Sequence, residues 1–175
     1  MIYIETPRLL LRDWEEKDLK SFSEMNRDSI VMEFFLKKLT EDESLDFYNR
    51  IRNEFLQCGY GLYAVELKED HSFIGYTGFH NITFEVDFAP AVEIGWRLRQ
   101  EYWNKGYATE AAKACLIYAE AYLPFTTVYS FTSLPNKRSE RVMQKIGMKR
   151  MKEFSHPSVP DGHPLKEHVL YGIDL

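Results

Sequence analysis

No run of apolar residues in this chain extends beyond a handful, so nothing reaches the roughly 20 residues that a membrane-crossing helix needs. Cysteine is scarce as well. Two residues, Cys58 and Cys115, are too few for the disulfide framework of a small secreted domain. The opening Met1-Ile2-Tyr3-Ile4-Glu5 has neither the basic flank nor the apolar core of a secretory signal, which makes a cytoplasmic location the default expectation. Basic charge is in deficit, with 22 Lys and Arg against 27 Asp and Glu and a net charge of −5. That balance argues against broad nucleic-acid binding, because phosphate contacts need a basic surface. The small cluster Lys149, Arg150 and Lys152 reads as a solvated strand face. The glycine patterns of the two best-known phosphate loops are missing too: the Walker pair followed by Lys-Ser or Lys-Thr, and the three close glycines of a dinucleotide fingerprint.

What remains is an ordinary globular composition, 45% hydrophobic and 28% charged, in 175 residues that suit one domain, 1–175. A chain of this size buries about 70% of its unfolded surface. Aromatic content is high at 15%, enough to line a pocket as well as a core. Arg8 to Trp14 reads as a strand. Asp13 with Glu16, and Thr40 with Glu43, form capping-box patterns, predicting helices through about Asn26 and Phe55. Tyr60–Leu67, Phe73–Asn81 and Ala91–Leu98 read as strands, followed by a helix from Gly106 to about Ala121 that Pro124 stops. Cys115 on that helix reads as a small core residue. Thr127–Thr132 is strand, Asn136–Ile146 helix, and Gly147 its left-handed stop. Met148–Phe154 and His168–Ile173 complete the strands. Ser155–Pro164 is a loop, and its His156, Asp161 and His163 lack any metal-ligand spacing, so no metal is expected. Strands and helices in this order predict a mixed α/β layer structure.

The most informative stretch is Val92-Glu93-Ile94-Gly95-Trp96-Arg97-Leu98, followed closely by Tyr102-Trp103-Asn104-Lys105-Gly106-Tyr107-Ala108-Thr109-Glu110-Ala111. A strand, a glycine-containing turn and a helix start aim unpaired backbone N–H groups and the positive helix end at one point, which favours a phosphate or pyrophosphate. Gly106 lets the backbone approach the ligand closely. The segment resembles the acetyl-CoA loop of the GNAT N-acetyltransferases, Gln/Arg-x-x-Gly-x-Gly/Ala. Lys105-Gly106-Tyr107-Ala108 matches its end, whereas Trp103 replaces the usual Gln or Arg. That departure is typical of the branch resembling the ribosomal-protein acetyltransferases RimJ and RimL. Ile4-Glu5-Thr6-Pro7-Arg8-Leu9-Leu10-Leu11-Arg12, Asn136-Lys137-Arg138-Ser139, Lys145-Ile146-Gly147-Met148 and His168-Val169-Leu170-Tyr171-Gly172-Ile173 are similar to further segments of that branch, in the same order.

The resemblance implies a single-domain GNAT-like fold of class α/β (α+β). Its mixed, mostly antiparallel sheet would hold six to seven strands, with helices on both faces and a splayed central strand pair. It implies acetyl-CoA as co-substrate, no metal, and an amine acceptor, in a monomer or homodimer. It assigns main-chain contacts with pantetheine to Ile94 and Trp96, and the pyrophosphate to Asn104, Lys105, Gly106, Tyr107, Ala108 and Thr109. Asn136 and Ser139 would face the thiol end. Glu93 interrupts an apolar strand, and two readings stand: a general base for the amine, or a structural carboxylate bonded to backbone or an arginine. Met143 occupies the position where many relatives carry an acidic Tyr, leaving Ser139 as hydrogen-bond donor to the leaving thiolate or as a local helix bond. Without a placed nucleophile, direct attack in a ternary complex is expected. Met32-Glu33-Phe34-Phe35-Leu36 could wall the acceptor site, with Glu33, Glu85 or Asp87 drawing a cationic amine. The lower pKa of an α-amine, about 7.7–8.0 against about 10.4 for lysine, favours a peptide N-terminus. Polyamines, amino acids and aminoglycosides stay open as acceptors. Two further readings are a catalytically silent acyl-CoA-binding module and a nucleotide-binding protein.

Overall fold

Helix boundaries here are decided by competition for side-chain partners. Thr40 and Glu43 close the expected capping box, each side chain bonding the other's backbone N–H, and α2 (Glu41–Cys58) starts there and ends at the left-handed Gly59. The box expected from Asp13 does not form. Asp13 instead accepts from the N-terminal ammonium at 2.9 Å and from Tyr3 Oη at 2.7 Å. The first helix, α1 (Asp18–Arg27), therefore begins later and has no side-chain cap.

The computed structural model describes residues 1–175. The remaining elements are β1 (Ile2–Glu5), β2 (Leu9–Arg12), β3 (Leu62–Leu67), β4 (Phe73–Asn81), β5 (Val92–Leu98), α3 (Tyr107–Tyr122), β6 (Thr127–Ser133), α4 (Lys137–Lys145), β7 (Lys149–Ser155) and β8 (Glu167–Asp174). They build one eight-stranded sheet in the order β1-β2-β3-β4-β5-β6-β8-β7. The expected six to seven strands become eight because the Thr6–Arg8 turn splits the first segment into an antiparallel pair, β1 on β2. All neighbours are antiparallel except β5 and β6. No helix is long and apolar enough to cross a membrane.

The period-2 alternation of the strands feeds two cores. On one face α3 lays Ala111, Ala112, Cys115 and Ala119 against Leu9, Val65, Phe79 and Ile94, small residues that bring the helix close to the sheet. On the other face α1 and α2 cover Leu62, Ala64 and Tyr76 with Phe22, Met25 and Ile51.

Between β2, β3 and the start of α1 lies a buried charge network. Arg12 grips Asp18 through two bonds of 2.8 and 2.9 Å and donates Nε to Glu66 at 2.6 Å. Side-chain exposures are 6% for Arg12, 1% for Asp18 and 6% for Glu66, so none of the three relies on water. Burial pushes the Glu66 carboxyl up, but bonds from His71 and Arg12 outweigh it and hold the group below the usual range. The stability this shift contributes is present above the unperturbed 4.5 and is lost as pH falls below it. Arg12→Ala leaves two buried carboxylates without their cation and is expected to destabilise by about 3–5 kcal/mol. Urea unfolding at pH 7 measures this, and a midpoint equal to wild type would show that the network contributes nothing.

Candidate active site

The parallel neighbours β5 and β6 share one registered pair, Glu93 with Tyr129. Next along, Ser130 Oγ donates to the Ile94 carbonyl at 2.9 Å, and no further strand pairing follows. Backbone polar groups of alternate strand residues point the same way. With the Ile94 carbonyl turned toward β6, Trp96 turns its N–H and C=O there too, into the gap. The side chains divide by face. Val92, Ile94 and Leu98 enter the α3 core, with Trp96 packed against it, whereas Glu93, Gly95 and Arg97 face the other way. A Cβ at Gly95 would meet nothing within 4 Å, so the middle of this face is open.

That open space belongs to a cavity of about 750 Å³ that follows the gap from the start of α3 to the aromatic residues between α1 and α2. At one end the chain makes two left-handed turns, at Asn104 (φ 59°) and Gly106 (φ 81°), before α3 begins. No side chain caps α3, which leaves the N–H groups of Tyr107, Ala108 and Thr109 directed at the cavity mouth. Arg8 fixes the turn from behind, donating Nη1 to the Lys105 carbonyl at 2.9 Å and Nε to Glu110 at 2.6 Å. Asn104, Gly106, Tyr107, Ala108 and Thr109 all line the cavity, but Lys105 does not: its side chain lies out by the Tyr102 ring. The uncapped N–H groups and the glycine turn suit the pyrophosphate of a coenzyme A ester.

Asn136 caps α4, accepting from the Ser139 N–H at 3.3 Å and donating Nδ2 to Ser139 Oγ at 3.1 Å. Both line the cavity, and Met143, fully buried, fills the next helical turn with an apolar side chain.

Glu93 lies on the floor where the strands part. Burial pushes its carboxyl up to about 7; the charges of His80 and Glu54 act in opposite senses, and no hydrogen bond contributes. Neither a backbone group nor an arginine holds it, so the structural reading lacks its expected partners. His80, directly opposite on β4, bonds Glu54 at 2.7 Å, and that bond raises its pKa against the effect of burial. Strand alternation could have placed His80 beside Glu93, since Tyr76, Gly78 and His80 share their face with Arg97, Gly95 and Glu93. Phe131, His156 and His168 form the opposite wall, with the two imidazoles 4.9 Å apart. No sequence spacing signals that wall, because β6, β8 and the loop after β7 are brought together only by the fold. Phe34 and Phe35 do line the cavity, as does the expected Trp96, whereas Glu33, Glu85 and Asp87 stay outside its lining. Glu33 pairs with Arg138, and Asp87 with Lys152.

Residues 8–149 match the model of the acetyltransferase (GNAT) domain. The chain belongs to the GNAT acetyltransferase family. It is 32% identical to an uncharacterized N-acetyltransferase of Bacillus subtilis, YnaD, over 98% of this chain and 96% of that one. A GNAT-family acetyltransferase structure from Bacillus anthracis superposes with a TM-score of 0.81 at 32% identity, covering 99% of this chain and 98% of that one. The fold is also that of RimL, a ribosomal L7/L12 alpha-N-protein acetyltransferase solved with coenzyme A, at TM-score 0.82 and 13% identity, covering 100% of this chain and 98% of the other.

Because Gly95 opens onto empty space, a larger residue there fills the cavity without disturbing the sheet. Gly95→Val is expected to melt at or above the wild-type temperature, valine favouring a strand, while acetyl transfer falls about tenfold or more from misplaced reactants. Full activity in the folded variant would remove this face from the acceptor site.

Proposed function

We propose that this acetyltransferase moves the acetyl group of acetyl-CoA to the α-amine of a peptide or protein N-terminus, by direct attack in a ternary complex. The observation that carries the reading is the half-buried, unpartnered Glu93 carboxyl beside the gap between β5 and β6. Acetyl-CoA, when bound, supplies the thioester carbonyl that the amine attacks. The residues suited to hold it are Asn104, Gly106, Tyr107, Ala108 and Thr109 at the pyrophosphate end and the main chain of Ile94 and Trp96 along the gap. Lys105 contributes its backbone in the same turn, and its Nζ lies 5.6 Å from the centre of the cavity-lining Tyr102 ring.

Glu93 acts as the base in this reading. A carboxylate with a pKa near 7 is well matched to an α-amine of about 7.7–8.0, whereas a lysine at about 10.4 would need far more help to lose its proton. The free backbone N–H in the gap gives a fixed donor for the carbonyl oxygen as negative charge develops there. Ser139 donates to the leaving thiolate. Its oxygen accepts from Asn136, which leaves its own O–H for another acceptor. A likeness to the RimJ/RimL branch supports a protein acceptor, through the Tyr102–Ala111 wording and through a fold that RimL uses on a protein α-amine. The second reading, a small-molecule amine, is favoured by the aromatic walls that narrow the cavity around Phe34, Phe35 and Phe131.

Three measurements test these assignments. The wild-type kcat/KM should rise with pH through about 7, as the Glu93 carboxylate forms. Glu93→Gln should move that limb up toward the amine's own pKa of about 7.7–8.0 and lose about 10²–10⁴-fold of the rate. An unchanged limb would transfer the base role to another group. Folding responds with the opposite sense: a raised carboxyl pKa contributes stability below 4.5 that is lost as pH rises through about 7. Glu93→Gln should therefore raise the melting temperature more at pH 8 than at pH 5. Release of CoA thiol near pH 8 should be fastest with free N-terminal peptides in a panel that includes polyamines, amino acids and aminoglycosides. Fastest release with one small-amine class would establish the second reading. Silence with every amine, alongside tight acetyl-CoA binding, would establish a silent binding module.

A further inference from the structure

Arg97 is a buried cation without an anion. It is 8% exposed, and its Nε has no hydrogen-bond partner. Nη1 donates at 2.7 Å to the neutral Asn26 Oδ1, an amide held in place by its own bond to Ser44. Burial pulls its pKa below the usual range, and the only charge effect against this comes from Tyr76, not from a carboxylate. The planar group lies 4.2 Å from the Phe35 ring and 5.4 Å from that of Tyr76.

A charge in this position is costly unless paired. Cation–π contacts offset part of that cost. The contrast with Arg12 is instructive, since the fold gives Arg12 two carboxylates at the same depth. An apolar residue would serve the packing of Phe35 and Tyr76 equally well, so packing alone does not account for a guanidinium. Arg97 also lines the cavity, on the same strand face as Glu93, with the open Gly95 between them. The two are four positions apart, roughly 13 Å along the strand.

We propose that Arg97 receives a carboxylate carried by the acceptor, so that the favoured substrate is an amine set apart from an acidic group by several bonds. This deepens the reading above and rests on Glu93 marking the amine end. A chain advances about 3.3–3.6 Å per residue when extended. A peptide with its N-terminus at Glu93 therefore lays its second and third residues over Gly95, and an Asp or Glu side chain there reaches Arg97. A free amino acid with a side-chain carboxylate offers the same chemistry from a smaller source. A polyamine would bring like charge against Arg97.

The test compares matched peptides, free at the N-terminus and amidated at the C-terminus, that carry Asp or Asn at position 2 or 3, beside free aspartate, asparagine, glutamate and glutamine. Wild type should favour the Asp peptide by about tenfold or more in kcat/KM, the worth of a charge-assisted bond. Arg97→Met should bring the Asp/Asn ratio to about one, and Arg97→Lys should retain part of it. An acidic preference seen with free amino acids and not with peptides, and lost in Arg97→Met, would still support the carboxylate site while identifying the small source. A wild-type ratio near one, or a preference surviving in Arg97→Met, overturns the proposal and leaves N-terminal acetylation standing. Failure of every peptide, neutral and acidic alike, with transfer to uncharged or polycationic amines, overturns both. The wild-type ratio needs no variant, so poor folding of Arg97→Met cannot mask the result.

Discussion

The parting of β5 from β6 is the constraint on which the site depends. A parallel pair inside a sheet normally continues its ladder, because an unpaired backbone N–H or C=O away from water is expensive. Here the ladder stops after Glu93 and Tyr129, and a serine hydroxyl supplies the last bond, to Ile94. The groups of Trp96 beyond that point have no strand partner. Everything else in the site is arranged around this gap. The α3 helix start lies at one end, and Glu93 lies where the strands begin to part. Gly95 keeps the floor clear, and β4 on the far side remains fully paired, which holds β5 rigid while its other edge is free.

Charge divides along the same line. Arg12, Asp18 and Glu66 are buried and mutually satisfied, and they tie β2 and β3 to the start of α1. Glu93 has no hydrogen-bond partner and Arg97 has no carboxylate, and both face the cavity. The same residue types thus serve two ends. A satisfied network favours one fold, whereas an unsatisfied group stores an interaction for a molecule that arrives later.

Much of this was legible in the chain, for physical reasons that differ from one element to the next. The α2 capping box is local, a matter of two residues three apart, and it formed as read. The α3 start is equally local, since Gly106 and the small first-turn residues specify it. The start of α1 was misplaced because Asp13 found stronger partners in the N-terminal ammonium and Tyr3, neither of which spacing along a helix reveals. The extra strand arises from a four-residue segment too short to show a period. Glu93 stood out as a charge within an apolar strand, but its lack of partners is a property of the folded surroundings. Arg97, four residues further along the same face, carries no such signal in the sequence. Its significance depends on Asn26 and Phe35, which lie far back in the chain, and on the absence of any carboxylate among the residues packed around it.

The α4 helix shows how a departure from the family pattern narrows the chemistry. Met143 is fully buried and packs into the core that α3 shares with the sheet, so neither a proton nor a hydrogen bond comes from that position. In the mechanism proposed above, the donor to the leaving sulfur comes from elsewhere on the same helix. Ser139, one turn earlier, meets the requirement in a specific way. Asn136 uses its amide to fix the Ser139 oxygen as an acceptor at 3.1 Å and adds a second bond to Thr132 at 2.9 Å. The capping residue thereby holds the helix start while still lining the cavity. The hydroxyl hydrogens of Ser139 and Thr132 are the polar groups of this trio not used within it. The local bond and the catalytic role, which compete when only the sequence is considered, are compatible in three dimensions: the cap orients the oxygen, and the orientation frees the proton.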